Sequence, residues 1–350
     1  MVNPLRAWDR FWFAPTSARP LGAFRIAIGL IALTNVLLLL TNPDPWLTDA
    51  GLLRGHEARI LAGPLRPSPL HWVQDPTSVR IFLMAVGAVA VPFILGWRTR
   101  LFAVLLYLGT LSIHNRNLMA TCGMDVLLVL LLFYAALSPC GAAYSLDARR
   151  ASRRRAGPAE ALVSPWAQRL IQLQICVLYF CTVTMKLGGA CWIDGSALHY
   201  ILHNEEVRRF TFGIENDPLL TNVMTYSTLL IELALPFLLW FRASRPFMLM
   251  CGVLLHLGIS VTINAPLFAE MMFAAYLCFL KPTELDALLR AVDVRRWSGR
   301  RSGGVSLPEA IRLDGPSTLK PPHRPTIVTT DATPATAAAL SGDPGDAGPT

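Results

Sequence analysis

The sequence predicts an all-α, polytopic membrane bundle of about eight transmembrane helices, with both termini on the cytoplasmic side. Three observations carry this expectation. The chain of 350 residues is 53% hydrophobic but only 15% charged, with a mean hydropathy of +0.45; soluble domains are nearer about 25% charged. Eight apolar segments are long enough, or nearly so, to cross a bilayer. Basic residues cluster in alternate connections, which the positive-inside rule assigns to the cytoplasm.

In order, the expected spans run roughly Leu21–Leu40, Ile81–Gly96, Leu101–Asn117, Met124–Ser138, Trp166–Met185, Leu219–Phe241, Phe247–Ile263 and Leu267–Leu280. The third, fourth and eighth are short enough to be re-entrant. Arg6, Arg10 and Arg19 precede the first span, and Arg98 and Arg100 follow the second. Arg149, Arg150, Arg153, Arg154 and Arg155 follow the fourth, and Arg242 and Arg245 the sixth. Lys281, Arg290, Arg295 and Arg296 follow the eighth. The other connections are acidic, with Asp44, Asp49, Glu57 and Asp75 in one and Asp194, Glu205, Glu206 and Glu215 in another. The first apolar run is too long for a signal-peptide core and lacks a clean cleavage site. Two parts are expected: a transmembrane domain over 1–290, and over 291–350 a basic segment with a disordered Pro/Thr/Ala-rich cytoplasmic tail.

The formal charge of +8 is accounted for by topology, so no nucleic-acid partner is inferred. The seven cysteines form no CxxC pair and no zinc spacing, and no metal site is expected. Cys122 and Cys191 both fall on the outer side, where an oxidising compartment would allow them to pair. Nucleotide loops, GxSxG elbows and CxxCH haem sites are absent from the sequence, so any chemistry is expected in or at the membrane.

Lys186, in TMKLGGACWIDGSALHY, is one of three lysines against twenty-eight arginines. Position alone gives a lysine at a helix end whose ammonium snorkels to the headgroups. The sharper alternative is a general base, because desolvation disfavours the charged amine and arginine cannot fill that role. Arg25 lies within or just before the first span, and either needs an intramembrane partner or anchors the inner end. Glu232 and Glu270 are intramembrane carboxylates, and a core-supporting role suits Glu232. His256 sits mid-span, as a satisfied core imidazole or a proton shuttle. His199 and His203 share a helix face and lack a third ligand, so a solvated face is the expected reading.

Taken in order, FRIAIGL, ILGWRTRLF, HNRN, YSLD, KLGGACWIDGSALHY, IELALPFLLW, LLHLGIS and LFAEMMFAAYLCFLKP resemble the HTTM (horizontally transferred transmembrane) domain. That domain is the membrane part of vitamin K-dependent gamma-carboxylase and its bacterial relatives. The resemblance covers about Leu5 to Leu289. Its most specific piece is the K-L…W-x-x-G element followed by a His-bearing span.

The resemblance implies that a reduced quinone, vitamin K hydroquinone or menaquinol, is oxygenated by O2 to the epoxide. The reaction generates a base that removes a glutamate γ-proton, and the carbanion takes up CO2. It implies Lys186 as the catalytic base and His256 as a second catalytic candidate in the quinone pocket. Asn115, Asn117, Trp192, Glu232 and Arg25 are implied to bind or support the quinone, with His114 beside them. The expected partners are membrane lipids, the quinone and a protein or peptide glutamate. The animal enzyme's large lumenal domain is not expected in the basic segment and tail over 291–350, so substrate docking is expected to differ. Arg- and Ala-rich usage suggests a bacterial plasma (inner) membrane. Two alternatives stay open: a non-catalytic quinone- or lipid-binding membrane protein, and a transporter suggested by Arg25, Glu232 and Glu270 but lacking an internal repeat.

Overall fold

A computed structural model describes residues 3–292, except 74, 155–160 and 211–212. The expected tail over 291–350, with Arg295 and Arg296, falls almost wholly outside the described residues, as does Arg155. Within them the regular structure is helical apart from one short antiparallel pair, β1 (Thr16–Ser17) with β2 (Leu162–Val163), and an isolated bridge between Arg208 and Ile263. The helices are α1 (Pro4–Phe13), α2 (Arg19–Thr41), α3 (Asp44–Leu47), α4 (Gly55–Ala62), α5 (Pro76–Leu95), α6 (Thr99–Arg116), α7 (Gly123–Leu137) and α8 (Leu146–Arg154). They continue as α9 (Trp166–Leu187), α10 (Ala190–Ile193), α11 (Ala197–His203), α12 (Pro218–Leu238), α13 (Arg245–Thr262), α14 (Phe268–Tyr276) and α15 (Pro282–Val292).

Five of these are long and apolar enough to cross a membrane: α2, α5, α9, α12 and α13. All eight expected segments are helical, but α6 loses apolar character at its His114–Asn115–Arg116 end, and α7 is shorter. The eighth is not one α-helix. It is α14 followed by a 3-10 turn over Leu277–Phe279.

Local chemistry sets the ends. Asp75 and Asp217 cap α5 and α12 by accepting backbone N–H bonds, each followed by proline at the first helical position, where its missing N–H costs nothing. Gly96 ends α5 at φ 69°, a left-handed position that glycine adopts without steric cost.

The bundle is organised around α2, which packs on α5, α7, α14 and the 3-10 turn after it. One apolar cluster joins Phe24 and Ile28 of α2, Leu83 and Phe93 of α5, Leu131 and Leu132 of α7, Ile171 and Ile175 of α9, and Met272 of α14. The outward faces are also apolar, with Leu37, Leu38, Val177, Phe180, Leu230 and Leu254 exposed. A helix apolar all round suits lipid outside and protein inside.

Two polar knots close opposite ends of α6. At its start, the fully buried Arg25 donates to the carbonyls of Cys140 at 2.9 Å, Ala143 at 3.1 Å, Ile94 at 3.3 Å and Tyr144 at 2.7 Å. Beside it, Asp147 accepts from the backbone N–H of Arg98 and Thr99 and from the Thr99 hydroxyl. At the end of α6, Asn115 donates to Pro67 O, Arg116 to Asp49 and Leu53 O, and Asn117 to Trp46 O. The long connection between α2 and α5 is thereby fastened to HNRN.

Candidate functional site

The last turn of α9 carries Lys186, and the chain then reverses through Gly188 and Gly189 into the single turn α10. That reversal lays the Trp192 ring over the Lys186 ammonium, 4.7 Å from Nζ to the ring centroid. A cation over an indole face is attracted by the ring quadrupole. The return loop is stitched to α12. Tyr226 donates to Ile193 O at 2.7 Å, Asn222 to Asp194 O at 3.2 Å, and Thr225 Oγ1 accepts from Leu198 N. Two turns along the same helix, Glu232 meets the lysine. Lys186 Nζ donates to both carboxylate oxygens, at 2.6 and 2.7 Å. The Glu232 side chain is 7% exposed and that of Lys186 23%.

Lys186 is therefore not extended as a lone helix-end anchor. Its ammonium is enclosed by a carboxylate on one side and an indole on another. Glu232, expected to support the core, is the lysine's partner.

Seven residues before Lys186, and so on the same face of α9, Tyr179 is buried. Its hydroxyl lies 2.7 Å from His256 Nε2 of α13 and is also hydrogen-bonded to the Tyr276 hydroxyl of α14. Phe268 packs edge-on against the His256 ring. His256 Nδ1 is buried with no hydrogen-bond partner. Tyr179 and Lys186, two turns apart on one face of α9, link this triad to the ion pair. Helices α9, α12, α13 and α14 thus converge on one polar cluster in an apolar bundle. Tyr179 and Tyr276 escaped the sequence reading because a lone tyrosine in an apolar run looks like core. The seven-residue spacing from Tyr179 to Lys186 was the available signal.

Arg25, Asn115 and Asn117 take no part in the contacts of this cluster. Their side chains are engaged in the two knots at the ends of α6. Asn117 and His114 also line a separate cavity of about 190 Å³ with Asn35, Trp46, Thr121 and Asp125. His114 Nδ1 is 3.6 Å from Asp125 there, and its Nε2 is buried without a partner.

Two further expectations meet a different arrangement. Glu270 is exposed in the first turn of α14 rather than held mid-span. Cys122 and Cys191 are both free thiols, and Cys122 Sγ donates to its own neighbour Asp125 at 3.0 Å. His199 and His203, expected on a solvated face, are half-buried and exposed respectively; their tilted rings lie 4.2 Å apart, and each Nδ1 donates to a backbone carbonyl. Among the described residues, no group of three or more His, Cys, Asp or Glu is placed to hold a metal.

An HTTM domain model matches residues 13–283, which include every residue of this cluster. The chain is also similar to "Uncharacterized protein YitO" of Bacillus subtilis (strain 168), 23% identical over 239 residues, covering 65% of this chain and 75% of that protein. No solved structure matches. With four helices delivering one polar cluster inside a matched region of well over half the chain, this protein belongs to the HTTM domain family.

Proposed function

We propose that this protein is a quinol-oxygenating membrane enzyme of the carboxylase-like kind, with Lys186 as the base. The observation that carries the reading is the Lys186–Glu232 pair beneath Trp192, beside a buried histidine that has an unused ring nitrogen. A buried, unpaired polar atom is costly unless something else completes its hydrogen bond. The orphaned His256 Nδ1 therefore fits a ligand that offers a polar group within an apolar surround. When bound, a reduced quinone would react with O2 to give the epoxide and water, and so supply the strong base that carboxylation with CO2 requires.

The residues of this chain hold and move protons. Transfer of one proton from Lys186 Nζ to Glu232 leaves a neutral amine beside a neutral acid. Neither needs the solvation that separated charges demand. The neutral amine can accept a hydroxyl proton from the ligand, and the ion pair returns once Glu232 releases to water the proton it took from the lysine. Trp192 shields the amine from water and stabilises the ammonium that forms. Eight membrane crossings, with both termini in the cytoplasm of a bacterial inner membrane, suit the alternating arginine clusters. Capture of CO2 by a peptide glutamate extends the same reading and rests on the family resemblance, which does not by itself establish function.

The test uses purified protein in nanodiscs with vitamin K hydroquinone or menaquinol and O2. Quinone epoxide is quantified by mass spectrometry, with Lys186→Ala as control. Lysine-dependent epoxide supports the reading, and labelled CO2 with a glutamyl peptide then tests the second half. Folded wild-type protein that retains quinone but forms no epoxide sinks it. That outcome would leave a quinone-binding protein, which the closed, bidentate ion pair also suits.

A further inference from the structure

The proton count in the buried triad assigns a state to His256. Tyr179, Tyr276 and His256 are 1%, 4% and 2% exposed, so bulk water does not reach them. Two hydrogen bonds join them: Tyr179 Oη to His256 Nε2, and Tyr179 Oη to Tyr276 Oη. A neutral triad has three protons to place, one on each hydroxyl and one on the ring.

Tyr179 can donate in two ways; if it donates in neither bond, Nε2–H and Tyr276 both donate to it, and its own proton and the Nδ1 lone pair are left over. In the first, Tyr276 donates to Tyr179, Tyr179 donates to His256 Nε2, and the ring proton sits on Nδ1. One donor, Nδ1–H, is left over. In the second, Nε2–H donates to Tyr179, and Tyr179 donates to Tyr276. The Tyr276 proton and the Nδ1 lone pair are then both left over. Buried polar groups are nearly always paired, so the arrangement with one orphan wins over those with two. Packing limits the alternatives for Tyr276, since a Cβ at Gly252 would overlap its hydroxyl.

We propose that the Tyr179 hydroxyl, donating to Nε2, locks His256 as the Nδ1–H tautomer, and that this N–H grips an acceptor oxygen of the ligand. The ligand class is a molecule presenting a carbonyl or oxyanion to a buried donor. On the quinone reading above, on which the ligand half of this inference rests, that oxygen is the quinone carbonyl or the quinolate oxygen. Lys186 then takes the proton from the ligand and His256 holds the charge that remains. Tyr179 is a positioning residue acting through His256, and Tyr276 completes the second hydrogen bond of Tyr179.

Nitrogen NMR of the full chain in nanodiscs, labelled with 15N-histidine, tests this without turnover. The His256 signals are assigned by their loss in His256→Gln. The expected wild-type state has Nδ1 protonated and Nε2 bare. Tyr179→Phe removes the donor to Nε2 and is expected to give a mixed tautomer population. Tyr276→Phe leaves Tyr179 free to donate and is expected to keep the Nδ1–H form, which also covers the case in which Tyr179→Phe fails to fold. A wild-type Nε2–H tautomer, or loss of the Nδ1–H form in Tyr276→Phe, overturns the lock. Oxidised menaquinone, which offers only acceptors, is the ligand probe. A quinone-induced shift of His256 Nδ1 supports the grip. An unmoved Nδ1 in protein that retains stoichiometric menaquinone overturns it. The tautomer needs no activity, so failure of the lock is distinguishable from failure to form epoxide.

Discussion

Replacing one partner of the Lys186–Glu232 pair is expected to cost more when the lysine goes than when the glutamate goes. Breaking a buried ion pair costs about 3–5 kcal/mol, because it strands an uncompensated charge. Glu232→Leu strands an ammonium whose side chain is 23% exposed and still touches Trp192, so the low end applies, about 3 kcal/mol. Lys186→Met strands a carboxylate only 7% exposed, so the high end applies, about 5 kcal/mol at neutral pH. That carboxylate can escape by protonating, and the Lys186→Met deficit should shrink as pH falls. The double variant strands nothing. It is expected to lie within about 1–2 kcal/mol of wild type, since apolar replacement of a whole buried pair is often near neutral. The coupling between the sites would then reach several kcal/mol, well above the roughly 0.3–0.5 kcal/mol scatter of independent sites. Equilibrium SDS unfolding in mixed micelles, followed by tryptophan fluorescence, gives the four free energies. Additive single-variant losses would refute the pairing. If the double variant is stable and makes no epoxide, the pair serves chemistry rather than folding.

Other predictions follow from the same contacts. Trp192→Ala should lower epoxide formation about tenfold, the equivalent of about 1–2 kcal/mol for a desolvated cation–π contact, while Trp192→Phe should recover much of it in the same assay. Arg25→Leu should remove four carbonyl-directed hydrogen bonds and give protein that aggregates on heating well before wild type in size-exclusion profiles, with Arg25→Lys intermediate. At Asp147 burial opposes ionisation, yet hydrogen bonds from Thr99 and Arg98, with Arg150 nearby, outweigh it and hold the carboxyl below its ordinary value. Its stabilising share is therefore complete above the ordinary aspartate pKa of about 3.9 and is lost as pH falls below it. Asp147→Asn should flatten the acid limb of the thermal-stability profile. Alkylation without reductant should modify Cys122 and Cys191 alike in denatured protein by intact mass, because both are thiols.

The helices were legible because bilayer thickness and backbone satisfaction leave few choices for an apolar run. Their ends were legible too, at Asp75, Asp217 and Gly96. The 3-10 turn that ends the eighth segment was not legible, because Leu277–Phe279 is as apolar as the run before it and nothing in its composition announces a tighter turn. At the site, Lys186, Glu232, Trp192 and His256 were each visible as unusual residues. Their grouping was not. The Lys186–Glu232 bond spans 46 positions and the Tyr179–Tyr276 bond 97, and such pairings depend on how α9, α12, α13 and α14 dock. Arg25 shows the opposite case. It looked functional because a buried arginine demands a partner, and its partners are backbone carbonyls, which no side-chain pattern reveals.

The Arg25 clamp also bears on how the protein is made. Its acceptors at Cys140, Ala143 and Tyr144 lie 115, 118 and 119 residues further along the chain. At a synthesis rate of about 5–20 residues per second, α2 leaves the ribosome roughly 6–24 s before those carbonyls exist. Through that interval the guanidinium must borrow hydration, from lipid headgroups or the walls of the insertion channel. The clamp on α2 can therefore close only after α7 has been made, and assembly of this bundle begins with a guest that waits for its host.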